Sequence, residues 1–408
     1  MQLASTMRIS GQNRRGDDTL QVVEHARFGT SRHERTQRAA AHVDERPIPI
    51  IAFASAWDGE YTSNHHVLRE LAKTRRVVWL NLAGPSDGGV KGLRKKLVDM
   101  VRGPVRVEHD LWVATPIALP TPERPVARVL DRWLVEGFVR AIRGRLGIDR
   151  FQLWSFLPNV SPYLGMGEAL SVYYCGDSCE DAELLSQVDA VFAANHALAE
   201  AKRARNPSTF VAPHGVDHAQ FARALDPEVE IPAELAAMPH PRLGFAGDLR
   251  MIDVELIADL ARLRPTWSIV LIGEPTATVA QLPNVHLLGT RDHDELPAYY
   301  AGLDVGLLPF RGHVNPLQLR ECLAAGRAVV STPMPEAERY PGLCQIARDA
   351  NGFVAAIVQI LATDSRAARL ARSTAMADET WASRIECMTR RIDEIVERVE
   401  PTLTDPLA

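Results

Sequence analysis

From Pro47 the chain runs Pro47-Ile48-Pro49-Ile50-Ile51-Ala52-Phe53-Ala54 into the small, turn-forming stretch Ser55 to Gly59. A segment from Ser63 to Thr74 follows, with Val67, Leu68 and Leu71 on one helical face, and then Arg76-Val77-Val78-Trp79-Leu80-Asn81. Runs this rich in β-branched and apolar residues, without polar alternation, are strands buried on both faces. Two of them joined by one helix within about 35 residues make a βαβ unit, because parallel neighbours need a crossover of about that length. The spacing therefore predicts an open parallel sheet flanked by helices.

The pattern repeats. Further strands are expected at Leu111–Ala114, Phe151–Ser155, Ser171–Cys175, Ala190–Ala194 and Thr209–Ala212. Pro227, Pro232, Pro239 and Pro241 then crowd a stretch with no sheet pattern, as an interdomain linker does. A second series opens at Arg242–Gly247, with helix Val254–Leu263, strands Ser268–Ile272 and Val285–Leu288, helix Leu296–Ala301, strand Asp304–Leu308, helix Leu317–Ala325 and strand Ala328–Ser331. Ile385, Met388, Ile392, Ile395 and Val396 mark an amphipathic C-terminal helix. The expected divisions are a polar tail (1–45), a first Rossmann-like domain (46–225), a linker (226–241), a second Rossmann-like domain (242–375) and a helix that packs back on the fold (376–400).

With 408 residues, 46% hydrophobic and 24% charged, the chain is too apolar for disorder and long enough for two cores. Its 46 Lys and Arg against 51 Asp and Glu give a net charge of −5 that excludes a nucleic-acid-coating protein. Five scattered cysteines suit a reduced, cytoplasmic compartment, and Cys175 and Cys179 alone lack the four ligands of a structural zinc. Neither a metal nor a cofactor is expected. No apolar run of signal-peptide length follows Arg8, Arg14 and Arg15, and stretches such as Ile48 to Ala56 fall short of the roughly 20 residues that span a bilayer. Membrane contact, if made, is expected at the inner face and from the basic amphipathic stretch Lys91 to Arg102.

Three motifs could carry chemistry. Gly244-Phe-Ala-Gly247-Asp248-Leu249-Arg250 follows a strand and precedes a helix, where glycines admit close approach to an anion and an arginine can neutralise it. Asn315-Pro-Leu-Gln-Leu-Arg-Glu321 opens a helix on Pro316, and its glutamate would point toward neighbouring strand ends, where a carboxylate can accept two hydrogen bonds from a ribose diol. Pro213-His-Gly-Val-Asp217 closes the first domain as a turn first and a ligand site second.

Taken in order, these segments resemble the GT-B glycosyltransferases of the large retaining superfamily that includes glycogen synthase and bacterial polysaccharide transferases. The order is Asp189-Ala-Val-Phe-Ala-Ala-Asn-His-Ala-Leu198, Pro213-His-Gly-Val-Asp217, Gly244-Phe-Ala-Gly247, Val270-Leu-Ile-Gly273, Asn284-Val-His-Leu-Leu-Gly289, Leu296-Pro-Ala-Tyr-Tyr300, Asp304-Val-Gly-Leu-Leu-Pro-Phe310 and Glu321-Cys-Leu-Ala-Ala-Gly326-Arg-Ala-Val-Val-Ser-Thr332. Val172-Tyr-Tyr-Cys-Gly-Asp177 looks like the teichuronic-acid-type branch.

The resemblance implies two Rossmann-like domains facing a cleft, and transfer from a nucleoside-diphosphate sugar to a polysaccharide or lipid-linked glycan, with retention and without metal. It implies a diphosphate near Gly244, Gly247, Arg250 and the amides of Leu317, Gln318 and Leu319, a base near Gly273 and Arg291, and a ribose on Glu321. Asp58, His65 and His66 are the acceptor-side catalytic candidates, and Asp177 is a further catalytic candidate in the cleft. The superfamily usually has a second glutamate eight positions before the ribose-binding one and a basic residue further on, where this chain has His313 and Gln318. Arg311 and Arg320 are the nearby cations that could compensate. A nucleotide-sugar 2-epimerase on the same fold and a silent nucleotide-sugar-binding partner are the alternative readings.

Overall fold

A computed structural model describes residues 47–59, 61–82, 102–116, 125–177, 179–275, 282–312 and 316–399. The expected tail 1–45 and most of the basic stretch, Lys91 to Val101, lie outside them, as does His313. Strands β1 (Ile50–Ala54), β2 (Val77–Asn81), β3 (Val105–Glu108), β4 (Leu111–Ala114), β5 (Gln152–Ser155), β6 (Leu170–Cys175), β7 (Ala190–Ala193) and β8 (Thr209–Val211) form one sheet in the order β3-β4-β2-β1-β5-β6-β7-β8. Strands β9 (Arg242–Ala246), β10 (Ser268–Ile272), β11 (Val285–Gly289), β12 (Val305–Leu308), β13 (Ala328–Ser331) and β14 (Cys344–Ile346) form the other, ordered β11-β10-β9-β12-β13-β14.

All pairings are parallel except β3 with β4. Two doubly wound α/β domains result, as the hydrophobic runs require. Strands β3 and β14 carry no such signal. Val105 and Val107 of β3 are exposed, and that edge strand is held by its ladder to β4 rather than by burial.

The helices that position the site are α1 (Ser63–Ala72), α2 (Pro125–Leu146), α3 (His218–Ala222), α4 (Ala233–Ala236), α5 (Val254–Leu263), α6 (Leu296–Gly302), α7 (Gln318–Ala324), α8 (Ala350–Thr363), α9 (Arg366–Thr374) and α10 (Trp381–Val399). Helix α1 stands on β1 and β2 with Val67, Leu68 and Leu71 buried, the face its sequence marks. Among the described residues no helix is long and apolar enough to cross a membrane.

The linker is not a free connector. From Val216 onward the chain joins the second core: Val216, Phe221, Ala224 and Leu235 are buried with Leu243, Tyr300 and Leu303, and Leu235 lies against Gly302, where a Cβ would meet it at 2.6 Å. Proline content marks a break in the sheet pattern but cannot tell a loose tether from a strap that packs. The C-terminal helix does the converse. Trp381, Ile385, Met388 and Ile392 of α10 are buried in the first domain's core with Trp79, Trp154 and Tyr174.

The chain thus crosses between domains at Gly215 and again at Thr380, and the two passages touch. Val216 donates its N–H to the Glu379 carbonyl at 2.9 Å and bridges Thr380. A Cβ on Gly215 would lie 2.5 Å from the Trp381 nitrogen, so a residue without one is required. Trp381→Ala should cost about 3–5 kcal/mol of stability as a large buried ring is lost. Chemical denaturation checks this, and a loss below 1 kcal/mol would mean that α10 is not anchored there.

Candidate functional site

Strand ends of both sheets meet in the cleft, and α1 and α7 begin there. Tyr61, His65 and His66 enter from the first domain, His293, Tyr300 and Glu321 from the second, and Trp381 from the returning helix. Tyr61 stacks on His65 with centroids 4.8 Å apart and meets His293 at 4.3 Å. His66 stacks on Trp381 at 4.8 Å and an interplanar angle of 13°, and faces His293 edge-on at 5.1 Å.

Glu321 lies buried at the centre. Tyr300 donates its hydroxyl to Oε2 at 3.4 Å, and Nε2 of His293 stands 3.8 Å from Oε1, too far for a hydrogen bond. Among the described residues no Lys or Arg pairs with this carboxylate within ion-pair distance, and burial pushes its pKa up to about 7. The Gln220 amide donates to Nδ1 of His293 at 3.2 Å and to its carbonyl at 2.8 Å, which leaves the ring proton on Nε2, toward Glu321. Burial holds His293 and His66 below the ordinary histidine value, so both rings are neutral. His66, His293 and Glu321 offer ligand atoms within 4.8 Å of one another, donor types that a divalent cation accepts. Cys175, Cys179 and Asp181 do the same, with the Asp181 carboxylate already bonded to the Lys202 ammonium.

Several sequence candidates are placed elsewhere or otherwise engaged. His65 accepts the Thr62 N–H on Nδ1 at 3.1 Å and donates Nε2–H to the Trp57 carbonyl at 3.1 Å, so both nitrogens are spent fastening the β1 loop to α1. Burial pushes its pKa down to about 4, and it is a rivet rather than a proton carrier. Arg291 reaches Glu234 of α4 at 2.7 Å and the Tyr299 hydroxyl, which ties the β11 loop to the former linker. Arg320 is fully buried, bonded to Glu336 and stacked 5.8 Å over Tyr340, and Arg311 pairs with Asp253 at 3.0 Å. Neither substitutes freely for a missing phosphate cation. Arg250 is exposed but forks onto Asp248 at 2.7 Å.

The glycines serve close packing. Gly247 (φ 149°) donates its N–H to the Ile272 carbonyl, and a Cβ there would meet the Gln318 amide at 2.5 Å. Gly273 (φ 157°) lies so near the Gly247 carbonyl that a Cβ would approach it to 2.1 Å, and Gly244 backs onto Leu303. The β9 and β10 loops are thereby pressed against the start of α7, where Leu319 is buried, Leu317 and Gln318 are half-buried, and amides lack intrahelical acceptors.

Asp58 is exposed and, with Trp57, Asn81, Arg102 and Thr115, lines a cavity of about 210 Å3 at the end of the first sheet. Asp177 is exposed just beyond β6, its carbonyl accepting the Cys175 thiol. His214 is buried between Tyr174 and Trp381. His293, Tyr61 and Trp381 were not sequence candidates. Asp-His-Asp-Glu-Leu carries no spacing signal, and their meeting depends on how the two domains face each other. Among the described residues, buried donors without hydrogen-bond partners include His293 Nε2 in the cleft, and Trp381 Nε1, Tyr174 Oη and Arg320 Nη1.

This is the GT-B architecture. Solved structures that share it include sucrose-phosphate synthase from Thermosynechococcus elongatus (TM-score 0.61, 15% identity, 86% of this chain and all of that one). Anabaena HepE in complex with UDP and glucose (TM-score 0.57, 14% identity, 88% and 100%) and an Escherichia coli trehalose-6-phosphate structure with UDP-2-fluoro glucose (TM-score 0.60, 13% identity, 86% and 99%) are also similar. Residues 240–363 match the family Glycosyl transferases group 1, so the chain carries a glycosyltransferase domain of that group. TuaH of Bacillus subtilis (strain 168), assigned to teichuronic acid biosynthesis as a glycosyltransferase, is 34% identical over 111 residues. That stretch is 24% of this chain and 28% of TuaH.

Because Glu321 holds its proton up to about pH 7 in the fold but only to about 4.5 when unfolded, its contribution to stability is full below pH 4.5 and is lost as pH rises through 7. Between pH 6 and 8 the wild type should lose about 1 kcal/mol relative to Glu321→Gln. Parallel denaturation profiles for the two proteins would remove the buried proton from Glu321.

Proposed function

We propose that the protein moves a sugar from a nucleoside-diphosphate sugar to a polysaccharide or lipid-linked glycan acceptor, with retention and without a metal. The observation that carries this is Glu321: a buried carboxylate with a weak hydroxyl contact, at the start of a helix in a glycosyltransferase domain, has the acceptor capacity that a ribose diol satisfies. The Nε2–H of His293, 3.8 Å from Glu321 and without a hydrogen-bond partner among the described residues, points the same way, since a buried donor left unmet costs about 1–3 kcal/mol until an oxygen-rich ligand meets it. UDP and UDP-sugar ligands in HepE and the Escherichia coli neighbour support a nucleoside diphosphate as the leaving group.

In this arrangement His66 and His293 cover Glu321, so donor entry parts His66 from the second domain. Ionised Glu321 takes the ribose, and the α7 amides with Arg250 swung from Asp248 receive the diphosphate. As the bond from the sugar's anomeric carbon to the diphosphate lengthens, oriented N–H dipoles stabilise the departing charge. The acceptor is received on the first domain's side of the cleft, which carries Asp58, His66 and Asp177. Retention follows if the acceptor attacks from the face that the diphosphate leaves.

Glu321→Ala should weaken nucleoside-diphosphate binding by about 1–3 kcal/mol in calorimetry. Transfer from labelled sugar nucleotides to a glycan panel should persist in excess chelator, with the donor's anomeric configuration kept by NMR. Unchanged affinity in the variant, or activity abolished by chelation, would overturn the corresponding part.

A further inference from the structure

Helix α2 of the first domain presents a stripe that is exposed among the described residues. Val129, Leu130, Trp133 and Leu134 recur at helical spacing on its outer face and are exposed, Trp133 by 69% and Leu130 by 53%. The same face continues through Gly137, Arg140, Gly144 and Arg145, all exposed. Four large apolar side chains on one outward stripe are unusual for a surface helix, and an indole beside arginines is the composition of a membrane–water boundary.

Charge gives the face its partner. The helix has five arginines against two acids in a chain of net charge −5. Asp131 is buried and accepts the Tyr163 hydroxyl, and Glu136 pairs with Arg140 along the helix. Arg132 and Arg143 are bound to carbonyls at Pro162, Leu164, Ile148 and Asp149, so among the described side chains of the helix Arg140 and Arg145 are the outward cations. A second copy of the chain is a poor occupant, because pairing two such stripes sets arginine against arginine. Four side chains also fall short of the roughly 800 Å2 that each partner buries in a stable complex.

We propose that α2 docks the protein on an anionic bilayer surface, with Trp133, Leu130, Val129 and Leu134 in the acyl–headgroup boundary and Arg140 and Arg145 at the phosphates. Its basic end also meets the candidate acceptor cavity. The Arg145 guanidinium packs on Gly103, where a Cβ would meet it at 2.8 Å, and Gly103 and Arg102 line the cavity that holds Asp58. A docked α2 would bring that cavity beside the headgroups. The consequence for a lipid-linked acceptor rests on the transfer reading, while the docking itself does not.

The test is co-sedimentation of the full-length protein with vesicles of phosphatidylcholine alone and of phosphatidylcholine with one quarter phosphatidylglycerol. Wild type should bind the anionic vesicles at least tenfold more tightly than the neutral ones. The double variant Leu130→Glu, Trp133→Glu should lose that binding while keeping its melting temperature and its affinity for nucleoside diphosphates, because these two side chains are exposed and line neither the cleft nor the cavity that holds Asp58. Arg140→Glu with Arg145→Glu should act in the same direction and abolish the preference for anionic lipid. Equal binding by wild type and the Leu130/Trp133 variant overturns the proposal, as does a wild-type dimer that the variant dissociates without any vesicle binding. Because nucleotide affinity is read separately, failure of docking is distinguishable from failure of the transfer reading.

Discussion

The double crossing at Gly215 and Trp381 is the contact on which the rest depends. One passage carries the chain out of the first core and the other brings α10 back into it, and they run so close that glycine is required at position 215. The second domain is therefore held to the first by two covalent connections and by a buried indole. That indole is also the surface on which His66 stacks. Core packing and cleft geometry are thus set by the same side chain.

From this follows an unusual electrostatic arrangement. Glu321 is enclosed by neutral rings and a tyrosine hydroxyl, and the surrounding arginines are spent on other carboxylates: Arg320 on Glu336, Arg291 on Glu234, Arg250 on Asp248. The site holds a carboxylate that gives up its proton near neutrality beside a histidine N–H without an acceptor among the described residues. Such a cluster costs free energy that a polar ligand relieves. It also separates the site from ordinary surface ion pairs, which are worth little and report little.

The local conformations of the second domain were largely legible because each depends on neighbours in sequence. Val254–Leu263, Ser268–Ile272 and Ala328–Ser331 begin and end where periodicity and turn residues place them. What spacing alone does not show is which partner a segment or side chain finds. Strand β3 exists through its ladder to β4, residues 226–241 gain order by packing Leu235 on Gly302, and His65 resembles a reactive group until both nitrogens are found bonded. Arg320 looked available because its sequence neighbours do not reveal Glu336 and Tyr340 around it.

What the sequence determined by itself was two parallel α/β domains, a C-terminal helix that could not stand alone, and a glutamate placed where its helix begins. Hydrophobic period and helix-start chemistry act over a few residues, and no tertiary contact needs to be known to read them. Tertiary structure decided which domain that helix returns to, and that His66 meets His293 and Glu321, which lie more than two hundred residues further along the chain. Convergence of that kind follows from the relative placement of two sheets, which packing across an interface fixes and local propensity does not.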